Sequence, residues 1–147
     1  MKKKKHIYII NGPNLNMLGK REPQMYGSTT LQEIETDCRY FAQDNGFELT
    51  FYQSNNECMI IEWIQNADGV ADGIIINPAA FTHTSIAILD ALKTVRCPIV
   101  EIHISNPYQR ERFRHISYVS QVATGTICGF GAYGYILALS SMLNLLK

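Results

Sequence analysis

Residues 72–105 read DGIIINPAAFTHTSIAILDALKTVRCPIVEIHIS, and the fold follows from how this stretch is divided. Ile74, Ile75 and Ile76 form an unbroken apolar run, the pattern of a strand covered on both faces. Residues 84–95 carry apolar side chains at helical spacing. Pro98 then opens a second strand over residues 99–104. Parallel neighbours cannot be joined by a tight turn, so a strand, a helix and a strand in sequence predict a parallel pair.

The same alternation continues in both directions. Residues 6–10 (HIYII) are a short β-branched run and predict the first strand. Thr30-Leu31-Gln32-Glu33 has the form of a capping box. It predicts a helix to about residue 44 with Leu31, Ile34, Cys38, Phe41 and Ala42 on one face, stopped by Asn45-Gly46. Residues 47–52 predict a second strand, and Ser54-Asn55-Asn56-Glu57 a second capping box. The helix behind that box, to about residue 67, is expected to bury Met59, Ile60, Trp63 and Ile64. A fifth strand is expected within residues 121–128 and a last helix over 133–146.

Five strands alternating with helices imply an α/β fold: a flavodoxin-like, doubly wound, five-stranded parallel sheet in three layers, as one domain over residues 1–147. In such sheets ligands bind outside the carboxyl ends of the strands, where strand order reverses. That rule brings three separated polar clusters to one crevice. They are Asn11 to Asn14, then Asn77, Pro78 and His83, then His103, Ser105 and Asn106.

Charge and composition exclude several classes. Thirteen basic and 13 acidic residues balance, which argues against a general binder of nucleic acid or of an anionic membrane. Cys38, Cys58, Cys97 and Cys128 lie far apart with no CxxC pair and read as reduced, mostly buried thiols. Neither they nor His6, His83, His103 and His115 have the close pairing of a zinc site. Lys2 to Lys5 precede only about five apolar residues, too few for a signal peptide. No segment approaches the ~20 apolar residues of a membrane span, so the chain is expected to be cytoplasmic.

Residues 11–28, NGPNLNMLGKREPQMYGS, join the first strand to the first helix without being either. Connections this long are usually lids or binding loops. This one carries Asn14, Asn16, Arg21 and Tyr26 between glycines and prolines. A guanidinium near Tyr26 would favour tyrosinate and lower a pKa that starts near ~10.

Other motifs have plain structural readings beside functional ones. Residues 129–134 match G-x-G-x-x-G, but no strand or acidic residue follows as a dinucleotide fingerprint requires. The glycines are better read as a tight strand-to-helix turn with close helix packing. No Walker sequence or G-x-S-x-G elbow occurs. Strand alternation sets Glu101, His103 and Ser105 on one face, opposite Ile102 and Ile104. Glu101 can then hold one nitrogen of His103 and leave the other for proton transfer. His83 lies among Thr82, Thr84 and Ser85, which either cap the next helix or face a hydroxylated ligand. Arg110, Arg112 and Arg114 form a solvated cluster or, at a crevice, a carboxylate clamp.

Taken together, the segments GPNLNMLGKREPQMYG, INPAAFTHTSIAILDAL, VEIHISNP and FRHISYVS, followed by the glycine turn, resemble the type II 3-dehydroquinate dehydratases in order and spacing over nearly the whole chain. The resemblance implies a flavodoxin-like fold and a dodecamer of four trimers. It implies conversion of 3-dehydroquinate to 3-dehydroshikimate through an enolate, in the shikimate or quinate pathway. Neither metal nor organic cofactor nor Schiff base is implied. By the same resemblance Tyr26 is the general base, Arg21 the lid arginine that favours tyrosinate, and Asn14 the residue that positions water or a donor at the enolate. His103 is the general acid and Glu101 orients it. Asn77, His83 and Arg114 bind substrate, the backbone of Ile104 and Ser105 forms the carboxylate pocket, and Asp90 reaches a neighbouring subunit's site. Ile116 replaces a second histidine and Ala80 stands where glycine is frequent. The other class consistent with the fold is a non-catalytic flavodoxin-like module binding a flavin or nucleotide. Such a module has no need for a base, a cation and an acid together.

Overall fold

A computed structural model describes residues 3–20, 22, 24 and 27–147. Five strands form one sheet: β1 (Lys5–Asn11), β2 (Phe47–Gln53), β3 (Gly73–Asn77), β4 (Ile99–His103) and β5 (Gly125–Cys128). All pairings are parallel and the spatial order is β2-β1-β3-β4-β5. This is the flavodoxin-like order, and its switch point falls between β1 and β3. Among the described residues four helices cover the sheet: α1 (Leu31–Asn45), α2 (Glu57–Ala67), α3 (Ile86–Leu92) and α4 (Tyr133–Leu145).

Alternation along the strands divides the apolar residues between two cores. Ile7, Ile9, Ile75, Val100 and Ile102 pack with Ile34, Cys38 and Ala42 of α1 and with Ala138, Leu139 and Met142 of α4. Tyr8, Ile10, Ile74, Ile76 and Ile99 pack on the other face with Ile60 and Ile64 of α2 and with Ile88 and Leu92 of α3. Each fully buried isoleucine contributes about 1.5–3 kcal/mol. None of the described helices is long and apolar enough to cross a membrane.

Local chemistry sets the element ends. Thr30 caps α1 by accepting from the Glu33 N–H at 3.2 Å, and the Glu33 carboxylate reaches back to the Thr30 hydroxyl at 3.1 Å in place of its N–H, so the first capping box forms only in its N-cap half. The second does not form. Asn56 caps α2 instead, its Oδ1 accepting from the N–H groups of Cys58 and Met59, while Ser54 accepts from the Asn56 N–H. An amide one atom longer than a serine hydroxyl spans two donors of the first turn. Ile60 and Ile64 are buried on α2, but Met59 is exposed and Trp63 half-buried, stacked on Tyr52.

Helix α3 is shorter than residues 84–95. The chain first makes a 3-10 turn, Ala79–His83, and Ser85 then caps α3 by accepting from the Ile88 N–H at 2.9 Å. Strand β5 starts at Gly125 and not at Gln121, because Val119 is buried in a 3-10 turn, Val119–Gln121, before the chain joins the sheet. Of the cysteines only Cys38 is buried, its thiol pushed up to about 12 by burial. Cys58 is exposed, and Cys97 and Cys128 are half-buried.

Candidate active site

The carboxyl ends of β1, β3 and β4 carry the three polar clusters, and they meet in one cleft of about 130 Å³. Asn14, Asn77, His83, His103, Ile104, Ser105, Arg110 and Arg114 line it, together with apolar residues such as Leu15 and Pro107. The wall between β1 and β3 is drawn tight: the Gly12 N–H donates to the Asn77 carbonyl at 2.8 Å. A Cβ on Gly12 would lie 2.4 Å from the Pro78 carbonyl oxygen, so only glycine fits there.

Two residues at the cleft have left-handed backbone without being glycine. Asn14 has φ +68, and its N–H donates to Asn55 Oδ1 at 2.9 Å. Asparagine tolerates this region better than most residues. Ala79 has φ +53, so the backbone that favours glycine is one residue before Ala80. Such strain persists where surrounding contacts over-determine it, and it clusters at functional sites.

Glu101 and His103 form the centre of the site. The His103 Nε2 lies 2.5 Å from Glu101 Oε2, and Glu101 is wholly buried. Thr82 and Ser117 donate to the same oxygen at 2.7 and 2.8 Å, and Ser120 donates to Oε1 at 2.5 Å. Burial alone would raise the Glu101 pKa. The hydrogen bond and charge of His103, with the hydroxyls of Ser120 and Thr82, outweigh it and hold the carboxyl at about 2. A carboxylate only accepts, so His103 presents Nε2–H to Glu101, and Nδ1 is the nitrogen left for a substrate proton.

A carboxyl whose folded pKa lies below its unfolded value of 4.5 stabilises the fold above pH 4.5, and this contribution is lost as pH falls toward 2. Glu101→Gln lacks the titrating group. The difference in thermal midpoint between wild type and Glu101→Gln should therefore narrow from pH 5 to pH 2.5. A constant difference across that range would show that Glu101 is not held ionised.

His83 stacks near His103 with ring centroids 6.5 Å apart. Its Nδ1 donates to the Ile116 carbonyl at 2.8 Å, which leaves Nε2 as an acceptor. Burial lowers its pKa, opposed by that carbonyl and reinforced by His103 and Arg114, so the ring is neutral near pH 7. Arg110 Nη1 donates to Ser105 Oγ at 3.2 Å, and Arg114 Nε to Glu111 at 2.5 Å. Both guanidinium groups thus border the cleft and supply positive charge for an anionic ligand.

Most of the expected site residues are brought together here. Asn14, Asn77, His83, Glu101, His103, Ile104, Ser105 and Arg114 all fall at the cleft or directly behind it. Asp90 does not: it is exposed on α3, away from this chain's own cleft. Tyr26 and Arg21 lie outside the described residues. Arg110 is the lining residue that the sequence pattern grouped with its neighbours without assigning it, although its position just past Asn106-Pro107 was a usable signal. The hydroxyls of Thr82, Ser117 and Ser120 had no such signal, because 16 to 19 residues separate each from Glu101.

Residues 129–134 form the predicted turn between β5 and α4. Gly129 has φ +90, and a Cβ there would lie 3.2 Å from Asn106 Cβ. Gly134 is different: a Cβ would meet Ile127 at an ordinary 3.8 Å, so close packing does not require that glycine.

Comparison with known proteins agrees with this geometry. The family described as "Dehydroquinase class II" matches residues 5–143. The chain is 57% identical over 133 residues to "3-dehydroquinate dehydratase 2" of Pseudomonas aeruginosa, covering 90% of each protein. It is 53% identical over 139 residues to "3-dehydroquinate dehydratase 1" of Agrobacterium fabrum, covering 95% of this chain and 96% of that one. A solved type II dehydroquinase from Butyrivibrio crossotus superposes with a TM-score of 0.94 at 45% identity, covering 97% of this chain and 99% of the other. With the match extending from β1 into α4, the chain belongs to the class II dehydroquinase family.

Proposed function

We propose that this chain is a type II 3-dehydroquinate dehydratase, a hydro-lyase that removes water from 3-dehydroquinate to give 3-dehydroshikimate in the shikimate pathway. The observation that carries the chemistry is the buried Glu101–His103 pair at the base of a cleft bordered by two arginines. Elimination next to a ketone needs a base for the α-proton, an electrostatic partner for the enolate and an acid for the departing hydroxyl.

In this reading Tyr26, as tyrosinate favoured by Arg21, takes the proton α to the ketone. Negative charge develops on the ketone oxygen, where a water or donor positioned by Asn14 stabilises it. The enolate then reforms the ketone as the C–O bond breaks, and His103 protonates the leaving hydroxyl from Nδ1. Water departs, Tyr26 is left protonated and His103 neutral, and one proton passes back before the next turnover. Neutral His83 accepts from a substrate hydroxyl through Nε2. Asn77 and Arg114 bind further oxygens, and the backbone of Ile104 and Ser105 receives the carboxylate.

Asp90, exposed on α3, is suited to reach a neighbouring subunit, and the assembly is a dodecamer of four trimers working in the cytoplasm as single-domain protomers. The experiment is direct. Purified protein given 3-dehydroquinate should form an enone, read as ultraviolet absorbance. Failure to form 3-dehydroshikimate, with the fold intact by circular dichroism, would overturn the assignment.

A further inference from the structure

Beneath the cleft floor Asn77 is tied into a buried polar network through Tyr135, a residue that none of the steps above uses. Tyr135, the first aromatic residue after the glycine turn, sits in the first turn of α4 and is fully buried. Its hydroxyl lies 2.6 Å from Asn11 Oδ1 and 3.0 Å from Asn77 Nδ2. Asn11 ends β1 and Asn77 ends β3, so one phenol joins the two strands that flank the switch point.

The direction of every bond is determined. Asn11 Nδ2 donates to the Tyr52 carbonyl at 2.9 Å, which turns its Oδ1 toward Tyr135. Burial pushes the Tyr135 phenol above its ordinary pKa, so it keeps its proton and donates it to Asn11. Its lone pair is then left to accept from Asn77 Nδ2. On its other side Asn77 Oδ1 accepts from the Ala79 N–H at 3.2 Å. Rotating the Asn77 amide by half a turn would set Nδ2 against the Ala79 N–H and Oδ1 against a hydroxyl whose only proton is already committed.

Asn77 is 2% exposed and borders the cleft, and its Nδ2 carries a second proton. We infer that Tyr135 is a positioning residue: held by Asn11, it locks the Asn77 amide so that the cleft is offered an N–H donor for a ligand oxygen and never the amide carbonyl. The same lock holds the Ala79 N–H and so anchors the turn that carries Thr82 and His83. This inference rests on the reading that the cleft binds 3-dehydroquinate through Asn77.

The test uses full-length Tyr135→Phe, Asn77→Ala and the double variant, assayed with 3-dehydroquinate. A contact made equally in ground and transition states acts on KM. One hydrogen bond corresponds to roughly a three- to tenfold change. Tyr135→Phe should therefore raise KM about three- to tenfold with kcat within about twofold, and Asn77→Ala should do at least as much. In the Asn77→Ala background, Tyr135→Phe should add no further rise, since the amide it orients is gone. Ile64→Val, which loosens the opposite face of the sheet, should lower the thermal midpoint without moving KM. If Asn77→Ala leaves KM unchanged, the reading of Asn77 as a substrate contact fails. If Asn77→Ala raises KM but Tyr135→Phe does not, or if the two effects multiply, the positioning role fails alone. Should Tyr135→Phe not fold, Asn11→Ala removes the acceptor that pins the hydroxyl and must raise KM in the same way. Unchanged KM there, or failure of both variants to fold, overturns the proposal in favour of a purely structural network.

Discussion

Replacing His103 by alanine should lower kcat by about 10²- to 10⁴-fold, the range that a positioned acid contributes and equivalent to about 3–5.5 kcal/mol of barrier. The departing hydroxyl is a poor leaving group unless it is protonated as it leaves. Within the cleft, His103 is the side chain whose tautomer is fixed by a carboxylate, leaving Nδ1 free to deliver that proton. The substitution also removes a donor to the buried Glu101 carboxylate. Thr82, Ser117 and Ser120 still donate to it, so the variant should fold with a lowered thermal midpoint. The measurement is kcat from enone absorbance beside a thermal melt, with added imidazole as a test of rescue. A kcat within tenfold of wild type would assign the acid elsewhere, with His83 as the next candidate.

Tyr26→Phe should cost at least as much turnover, about 10²- to 10⁴-fold, because it removes the proposed base while keeping the ring. This expectation rests on chemistry and family membership, since Tyr26 and Arg21 lie outside the described residues. A phenol with a pKa near ~10 is mostly protonated at neutral pH, and each unit of lowering is worth about 1.4 kcal/mol toward the active tyrosinate. A neighbouring guanidinium supplies such lowering. Arg21→Ala should accordingly move the limb of kcat/KM that rises with pH to higher pH, because the base then ionises later. Near-normal turnover in Tyr26→Phe would remove it as the base. An unmoved limb in Arg21→Ala would leave Tyr26 in place and separate the arginine from its ionisation.

The parallel sheet was legible because its strands advertise themselves twice. Ile74-Ile75-Ile76 is apolar without alternation, as burial on both faces demands, and Asn45-Gly46 and Thr30 mark helix ends by backbone chemistry that depends only on near neighbours. Where a cap could be made by either of two adjacent residues, as at Ser54 and Asn56, the pattern could not choose, because reach to the helical N–H groups decides. The start of β5 was misplaced for a related reason. Val122 and Thr124 are β-branched and extend the strand pattern back toward Gln121, whereas the 3-10 turn Val119–Gln121, with Val119 buried, is a tertiary outcome.

At the site, the Glu101–His103 pairing was written in the sequence, since residues two apart on a strand share a face. The flavodoxin-like strand order and the convergence of Asn14, Asn77, His83 and His103 also followed from pattern and topology. Tertiary structure alone decided what surrounds them. It supplied the hydroxyls of Thr82, Ser117 and Ser120 that keep a fully buried carboxyl ionised, the left-handed Ala79, and the Tyr135 bridge between Asn11 and Asn77. The physical reason is range. Periodicity and capping act over a few residues and can be read along the chain. Desolvation and hydrogen-bond direction depend on groups as far as 124 residues apart and exist only once the fold has brought them together.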